Sequence, residues 1–575
     1  MINNELADIF NKIADLLEIK GDNPFRIRAY RTAASNILSL GKDVSLMTRD
    51  ELLDIPGIGS DLAGKIREYL ETGRINMLEN LKLEYPEGLV SLLGVPGIGP
   101  KTAGLIYKRF KVDNLSDLEK LAGEHRLTGI PGIKDKTEAN IIKGIRMLTR
   151  VSARRPLGTV LPAAGRILDY LSANAPVGKI AIAGSIRRWK ETINDIDIIA
   201  TSEDPHKVMN IFTGIAGVRD VLVKGPTKSS IVMGDGIQVD LRVVDADSFG
   251  AALLYFTGSK AHNIKIRELA SRSGMKINEY GIFSERNGEK LGGRSEEDIY
   301  RILDIAYIEP EMREDTGEVE AAAERSLPRL IEAGDIKGDL HVHTDWSDGS
   351  ETLEDMIKKP LEMGYGYIAV TDHSKGLGIA RGLAEERIIE QRRIIDALNR
   401  RSGRFKVLAG AEVDIRADGS LDFGPEILAG LDIVIASVHS GFNQSREQIT
   451  GRITTAMRNP FVSVICHPTG RLIGEREGYE LDMDAVLKAA AETGAAIEIN
   501  AYPLRLDLQA DYVKTAKTMG VQLVISTDAH KTAHFDNMVF GVSVARRGWL
   551  EKGDVLNTLN YGNLLKRLKK MRGSR

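Results

Sequence analysis

Lys179-Ile180-Ala181-Ile182-Ala183-Gly184-Ser185-Ile186-Arg187-Arg188 runs from an apolar stretch into a glycine-serine turn, and Asp195-Ile196-Asp197-Ile198-Ile199-Ala200 begins ten residues after Ser185. The first run predicts a strand that turns into a helix, where free N–H groups at Gly184 and Ser185 face a triphosphate. In the second run, the spacing of two on a strand sends the Asp195 and Asp197 carboxylates to the same side. Asp240 lies in Ile237-Gln238-Val239-Asp240-Leu241, where a charge among β-branched residues is costly unless it binds a metal or a partner. Three carboxylates on adjoining strands can hold two Mg2+ ions, one activating a 3′-hydroxyl and one steadying a leaving pyrophosphate. Short β-branched runs at Lys179–Ala183, Ile196–Ala200, Ile231–Met233 and Ile237–Val244, separated by helical stretches, make this an α/β region from about Val151 to Pro310.

Upstream, one pattern occurs three times: Leu52-Leu53-Asp54-Ile55-Pro56-Gly57-Ile58-Gly59, Leu92-Leu93-Gly94-Val95-Pro96-Gly97-Ile98-Gly99 and Leu127-Thr128-Gly129-Ile130-Pro131-Gly132-Ile133-Lys134. Each predicts a tight turn between helices, with glycines opening backbone angles and uncovering amides for a phosphate. The repeats resemble the helix-hairpin-helix motif, which implies DNA-backbone contacts at Gly57, Gly59, Gly97, Gly99 and Gly132. Lys134 stands where the other copies have their second glycine. Backbone donors need no basic excess, so a net charge of −3 is no objection to DNA binding.

Downstream, seven apolar runs alternate with helical stretches: Ile336–Leu340, Tyr367–Thr371, Lys406–Ala411, Asp432–Val438, Phe461–Cys466, Ala495–Ile499 and Gln522–Thr527. That rhythm predicts a βα-repeating barrel. Of ten histidines, six (His341, His343, His373, His439, His467 and His530) fall at or just after the strand ends, together with Asp348, Glu412 and Asp528. Strand ends of such a barrel converge on one face, so these nine side chains predict one cleft holding two or three Mn2+, Zn2+ or Fe ions. Alternation places Cys466 on the opposite face from His467, as a buried apolar group. His125, His206, His262 and His534 carry no metal assignment.

At 575 residues the chain is too long for one core, and 42% apolar with 28% charged residues is ordinary for folded protein. No apolar run reaches the ~18 residues needed to span a bilayer, and the start lacks the pattern of a signal peptide. The single cysteine excludes an internal disulfide and fits a reducing compartment. A cytoplasmic monomer is expected.

Tyr255-Phe256-Thr257-Gly258-Ser259, with Asn263, Arg267 and Asn278-Glu279-Tyr280, resembles the nucleotide-selecting segment of the family X DNA polymerases, and the resemblance covers residues 1–310 in order. It implies that Tyr255 and Phe256 line the sugar pocket, that Asn263 and Arg267 touch the minor-groove side of the new pair, and that Arg188 holds the triphosphate. Lys65 takes the place of the family's Schiff-base lyase lysine, and Tyr30 and Arg31 also match. Asp61 and Met77 stand where lyase-active members carry lysines. Asp339-Leu340-His341-Val342-His343, Thr371-Asp372-His373, Ser437-Val438-His439 and Asp528-Ala529-His530 resemble the PHP (polymerase and histidinol phosphatase) domain, which hydrolyses phosphoesters; Asp348 replaces a histidine of some relatives.

The expected architecture is multidomain α/β: an all-α helix-hairpin-helix region, an α/β nucleotidyltransferase palm and a distorted (βα)7 barrel. Expected segments are a helical domain at 1–82, a second at 83–150, the palm at 151–245, a nucleotide-selecting subdomain at 246–310, a charged connector at 311–335 and the barrel at 336–575. The expected function is filling of short gaps in gapped or nicked DNA from dNTPs, with a 3′-5′ exonuclease in the barrel that extends to 3′-phosphatase or abasic-site cleavage. The alternatives are a hairpin module delivering the phosphoesterase with a silent transfer site, and a template-independent transferase. The intact Asp195, Asp197 and Asp240 weigh against the first.

Overall fold

Parallel strands buried on both faces read as unbroken apolar runs, and all seven such runs become strands of one sheet. The computed structural model describes residues 2–38, 43–86, 88–93, 95, 98–130, 133–134, 138, 141–142, 154–401 and 403–573. Two units divide the chain: Met1–Ala153 with Gly234–Ile237, and Arg154–Met233 with Gln238–Arg575.

The first unit is helical. Helix Ile2–Lys20 presents Leu6, Phe10, Ile13 and Leu17 at helical spacing, all buried, and Phe10 meets Tyr30 of helix Pro24–Leu38 edge to face at 5.5 Å. The three repeats share one backbone pattern. Ile58 N–H donates to Ile55 O at 3.0 Å, Ile98 to Val95 at 2.9 Å and Ile133 to Ile130 at 3.0 Å. One turn later Ala63 donates to Gly59 O, Ala103 to Gly99 O and Glu138 to Lys134 O, each at 2.9 Å. Gly57 needs its glycine, with φ +82° and an added Cβ only 2.9 Å from Thr32 Cγ2. Gly59 and Gly99 do not, since both have φ −89° with open space beside them. Lys134 therefore accepts the same turn. Gly97 and Gly132 lie outside the described residues.

In the second unit, strands β1 (Arg155–Pro156), β2 (Ile180–Ile182), β3 (Thr192–Ile193), β4 (Asp195–Thr201), β5 (Val218–Lys224), β6 (Lys228–Met233) and β7 (Gln238–Val244) come first. β2-β4-β7-β6-β5 form a sheet in that order, with β4 and β7 parallel and Asp197 opposite Asp240. Helix Phe249–Thr257 packs Phe249, Ala252 and Leu253 on Ile199 and Ala183, the face that also carries Asp195 and Asp197. Strands β8 (Met275–Asn278), β9 (Gly281–Ser284) and β10 (Lys290–Gly292) follow as a three-stranded antiparallel sheet.

Residues 311–335, read from sequence as a charged connector, place several of those charges inside. Arg313 is wholly buried, donating to Glu296 Oε1 at 2.5 Å and Ile308 O at 3.0 Å, while Arg187 grips Glu296 at 2.6 and 2.8 Å. Glu318 and His262, both without exposure, pair at 2.7 Å.

The barrel consists of β11 (Gly338–Val342), β12 (Tyr367–Val370), β13 (Lys406–Asp414), β14 (Ile433–Ser437), β15 (Val464–Ile465), β16 (Ala496–Asn500) and β17 (Leu523–Ser526), parallel and in sequential order. A bridge between Val342 and Ala529 draws the ends together, and buried Asp339 accepts from Thr527 N–H at 3.2 Å across the same seam. Helix Tyr561–Gly573 packs Leu564, Leu568 and Met571 into a core with Leu340, Leu408 and Cys466. Cys466 thus faces inward, its Sγ 3.6 Å from Glu412 Oε1, and not away from the cleft as alternation predicted. The reason is local: β15 ends at Ile465 and His467 has φ +28°, so strand periodicity does not extend to the pair. Among the described residues no helix is long and apolar enough to cross a membrane.

Burial alone would raise the Glu296 pKa, but Arg313 and Arg187 outweigh it and hold it at about 2. A depressed carboxylate stabilises the fold above its unfolded value of 4.5, and that contribution is lost as pH falls from there toward 2. Glu296→Ala leaves a buried guanidinium without its carboxylate and should cost about 3–5 kcal/mol. Thermal unfolding from pH 7 down to 3 should show this deficit shrinking on acidification; a deficit that grows would contradict the ion-pair account.

Candidate active sites in the palm and in the barrel

The Asp197 pKa is pushed up to about 7 by burial and then by Asp195 and Asp240. Asp195 is raised for the same reasons, burial first and Asp240 second. Gln238 Nε2 donates to Asp240 Oδ1 at 2.8 Å. A carboxylate cluster in which Asp195 and Asp197 hold a proton more tightly than usual suits hard divalent cations bound through oxygen.

The glycine-serine turn is fixed to this trio by its backbone. Ala183 N–H donates to Asp197 O at 2.8 Å, and Gly184 has φ +63° with an added Cβ only 2.3 Å from Asp197 Oδ2. Gly184, Ser185, Arg188, Asp195, Asp197, Tyr255, Phe256, Gly258, Asn263 and Arg267 line one pocket of about 400 Å³. Ten residues singled out from sequence are thus brought together, with Asp240 joining from β7. Tyr255 and Phe256 meet edge to face at 5.0 Å, and the Arg242 guanidinium lies 4.3 Å over the Phe256 ring. Asn263 Nδ2 donates to Tyr255 O at 2.6 Å, and Arg267 Nε to Asn263 O at 3.2 Å. Arg154, Asn194 and Lys260 also line the pocket and were not read from sequence. Asn194 and Lys260 adjoin motif residues, which was a usable signal; Arg154 had none.

In the barrel, Glu412 is buried within 3.4 Å of imidazole nitrogens of His341, His343, His373, His439 and His467. Asp348 lies within 3.6 Å of His343, His373 and His530, and Asp528 within 3.6 Å of His341, His343 and His530. All nine predicted side chains therefore fall into overlapping groups with ligand geometry, and Cys466 joins one of them. Burial draws the His341 pKa down, but Asp528, Glu498 and Glu412 outweigh it and hold it well above its usual value. His343 is held at about 3 by burial and by the neighbouring His530 and His373. His341 Nε2 and both His343 nitrogens are buried without a hydrogen bond. Orphaned imidazole nitrogens beside carboxylates fit transition-metal ligation. Two residues missed from sequence support the ligands: Glu498 accepts from His341 Nδ1 and from His467 N–H, both at 2.7 Å, and Asn500 donates to Asp528 at 3.1 Å.

In the helical unit, Gly59 and Gly99 start helices Ser60–Thr72 and Pro100–Phe110 with no side-chain cap, which leaves first-turn amides available to a phosphate. Lys65 Nζ is engaged by Asp61, Arg31 by Asp15 and Glu18, and Met77 Sδ by the Tyr30 hydroxyl at 3.0 Å.

Fold and sites together define a nucleotidyltransferase joined to a metal-dependent phosphoesterase. The chain matches the helix-hairpin-helix domain at residues 1–75, the SAM-like helix-hairpin-helix tandem at 89–147, the DNA polymerase beta thumb at 252–314 and the PHP domain at 339–501. It is 39% identical to the DNA polymerase/3′-5′ exonuclease PolX of Bacillus subtilis (strain 168), across 97% of both chains. DNA polymerase lambda of Rattus norvegicus is 27% identical over 54% of this chain and 56% of its own. A probable phosphatase of Thermoanaerobacter sp. (strain X514) is 29% identical over 38% of this chain and 89% of its own. The chain belongs to the family X DNA polymerases that carry a C-terminal PHP domain.

Gly184→Ala drives a methyl group into Asp197 and should lower single-turnover primer extension by about 100-fold, the size expected from a displacement of about 1 Å at a reacting centre; extension at the wild-type rate would show that the turn does not set the carboxylate. Because Asp61 engages the Lys65 amine, borohydride should trap little imine on a 5′-incised abasic site. Efficient trapping that disappears in Lys65→Ala would overturn that expectation.

Proposed function

We propose that this chain fills short gaps in DNA by template-directed transfer from dNTPs and that its barrel removes nucleotides from 3′ ends. The convergence of the Gly184 turn, the Asp195–Asp197–Asp240 trio and the Tyr255–Arg267 segment on one pocket carries the first half of this reading. Its similarity to the Bacillus subtilis polymerase/exonuclease supports both halves.

Asp195, Asp197 and Asp240 would hold two Mg2+ ions, which when bound lower the pKa of the primer 3′-hydroxyl and neutralise the departing pyrophosphate. Arg188 and the Gly184-Ser185 amides hold the triphosphate in line with that hydroxyl. Tyr255 and Phe256 close on the sugar where a ribose 2′-hydroxyl would project, and Asn263 and Arg267 reach the minor-groove side of the forming pair. The hairpins at Gly57–Gly59 and Gly97–Gly99 grip the phosphate backbone of gapped or nicked DNA without reading sequence, and Gly132 marks the third. The protein works as a monomer, with every residue of each site on one chain.

In the barrel, His341, His343, Asp348, His373, Glu412, His439, His467, Asp528 and His530 would hold two or three Mn2+, Zn2+ or Fe ions, which when bound activate water against a phosphodiester. Glu498 orients His341, and Asn500 holds Asp528, so the ligands stay aimed while the substrate changes. The same chemistry extends to a 3′-phosphate.

The two chemistries should separate. Asp240→Asn should cut extension by orders of magnitude and leave excision intact, while His341→Ala or Asp528→Ala should abolish excision and leave gap filling. Paired time courses on one labelled primer over a one-nucleotide gap, with and without dNTP, report both. Loss of both activities from either substitution alone would sink the two-site reading, and a chelator should stop both in the unaltered protein.

A further inference from the structure

We infer that Arg547, a residue of the barrel half, is a positioning residue for nucleotide transfer in the palm, where it holds Glu314 and the Arg188 backbone so that the Arg188 guanidinium is free to be taken by a triphosphate. The inference rests on the reading of Arg188 as the triphosphate ligand.

Helix Met538–Arg547 packs on β16 and β17, and its last residue reaches out of the barrel. The Arg547 side chain is 10% exposed, and its Nη1 donates to Arg188 O at 2.6 Å and to Glu314 Oε1 at 3.1 Å. That same Glu314 oxygen accepts from Arg188 Nε at 3.1 Å and lies 3.6 Å from Lys190 Nζ. The residue between them, Trp189, meets Phe540 of the same barrel helix edge to face at 6.0 Å. The barrel therefore holds the whole turn that follows Gly184–Arg187.

One carboxylate shared by three cations leaves a surplus of two positive charges beside the nucleotide pocket, where a triphosphate is to arrive. Arg188 Nε cannot serve Glu314 and a phosphate oxygen together. When a triphosphate takes it, the half-buried Glu314 needs another cation, and Arg547 is already in place. Without Arg547, Glu314 keeps only Arg188 and Lys190, and its hold on Arg188 competes with the nucleotide. The neighbouring Arg546 binds Glu311 at 2.7 Å and Ile331 O at 3.1 Å. It ties the same helix to the same segment without touching Arg188, so it serves as a control for mere anchoring.

Single-nucleotide insertion by the full-length protein on a one-nucleotide gapped duplex tests this. Arg547→Ala should raise KM for dNTP about tenfold with kcat within about twofold, the pattern of lost ground-state binding. Glu314→Gln added to Arg547→Ala should bring KM back to within about twofold, and Arg546→Ala should leave KM unchanged. Excision by Arg547→Ala should match the unaltered protein, which confirms an intact barrel. An unchanged KM, a fall in kcat alone, or no recovery in the double variant would overturn the inference. Should Arg547→Ala fail to fold, Glu314→Gln alone decides: KM must fall below that of the unaltered protein, and an equal or higher value refutes the competition. Arg188→Ala separates the two levels. If it does not raise KM, the pocket reading has failed; if it does while Arg547→Ala does not, only this inference has.

Discussion

Glu412 is a carboxylate sealed from solvent among five imidazoles drawn from four strand ends. An isolated charge in that position would be prohibitive, so the barrel tolerates it only because each neighbour is polar and carries or can accept opposing charge. The seam between β11 and β17 and the strand-end loops must all deliver their histidines within a few ångströms for this to hold. Asp339 on the seam and Glu498 beneath the rings are the second layer of the same requirement. The barrel is closed around a charge problem, and a set of metal ions is its chemical answer.

The palm meets the same problem with the opposite arrangement. There the carboxylates stand together without imidazoles between them, and burial together with their mutual repulsion raises Asp195 and Asp197. Its basic side chains, Arg154, Arg188, Lys260 and Arg267, line the same pocket, where an incoming triphosphate would need them. Carboxylates and arginines around one open pocket are an arrangement for bringing an anion to cations, whereas the buried cluster of imidazoles and carboxylates in the barrel is an arrangement for keeping cations resident.

Much of this was legible in the sequence where a local rule applied. Seven apolar runs gave seven barrel strands because parallel strands buried on both faces leave no polar alternation to confuse the pattern. Spacing of two put Asp195 and Asp197 on one face. Other features depended on tertiary partners. Cys466 was turned the wrong way because alternation was carried past the end of a two-residue strand. The burial of Arg313 and Glu318 inside a segment read only as a charged connector depends on Glu296 and His262, 17 and 56 residues away. Glu498 was readable by the argument used for Asp240, as a lone carboxylate inside Ala496-Ile497-Glu498-Ile499-Asn500. Lys134 can stand in the third hairpin because the second glycine of the other two copies has φ −89°, a conformation open to any residue.

Gly158 lies so close to Pro503 that a Cβ there would come within 2.3 Å of the proline ring, and Arg471 clasps Glu191 with contacts at 2.7 and 3.2 Å. Both contacts join the palm to the barrel, while Arg546 to Glu311 and Arg547 to Glu314 join the barrel to the segment at 311–335. A chain cut after residue 335 would strip Glu191 and Glu311 of these arginines, leave Glu314 to Arg188 and Lys190, and lay bare a surface shaped for a proline. The two catalytic halves are contiguous blocks in the gene but a fused joint in space, so an isolated polymerase fragment is a different molecule from the one that remains when the barrel's chemistry is silenced in place.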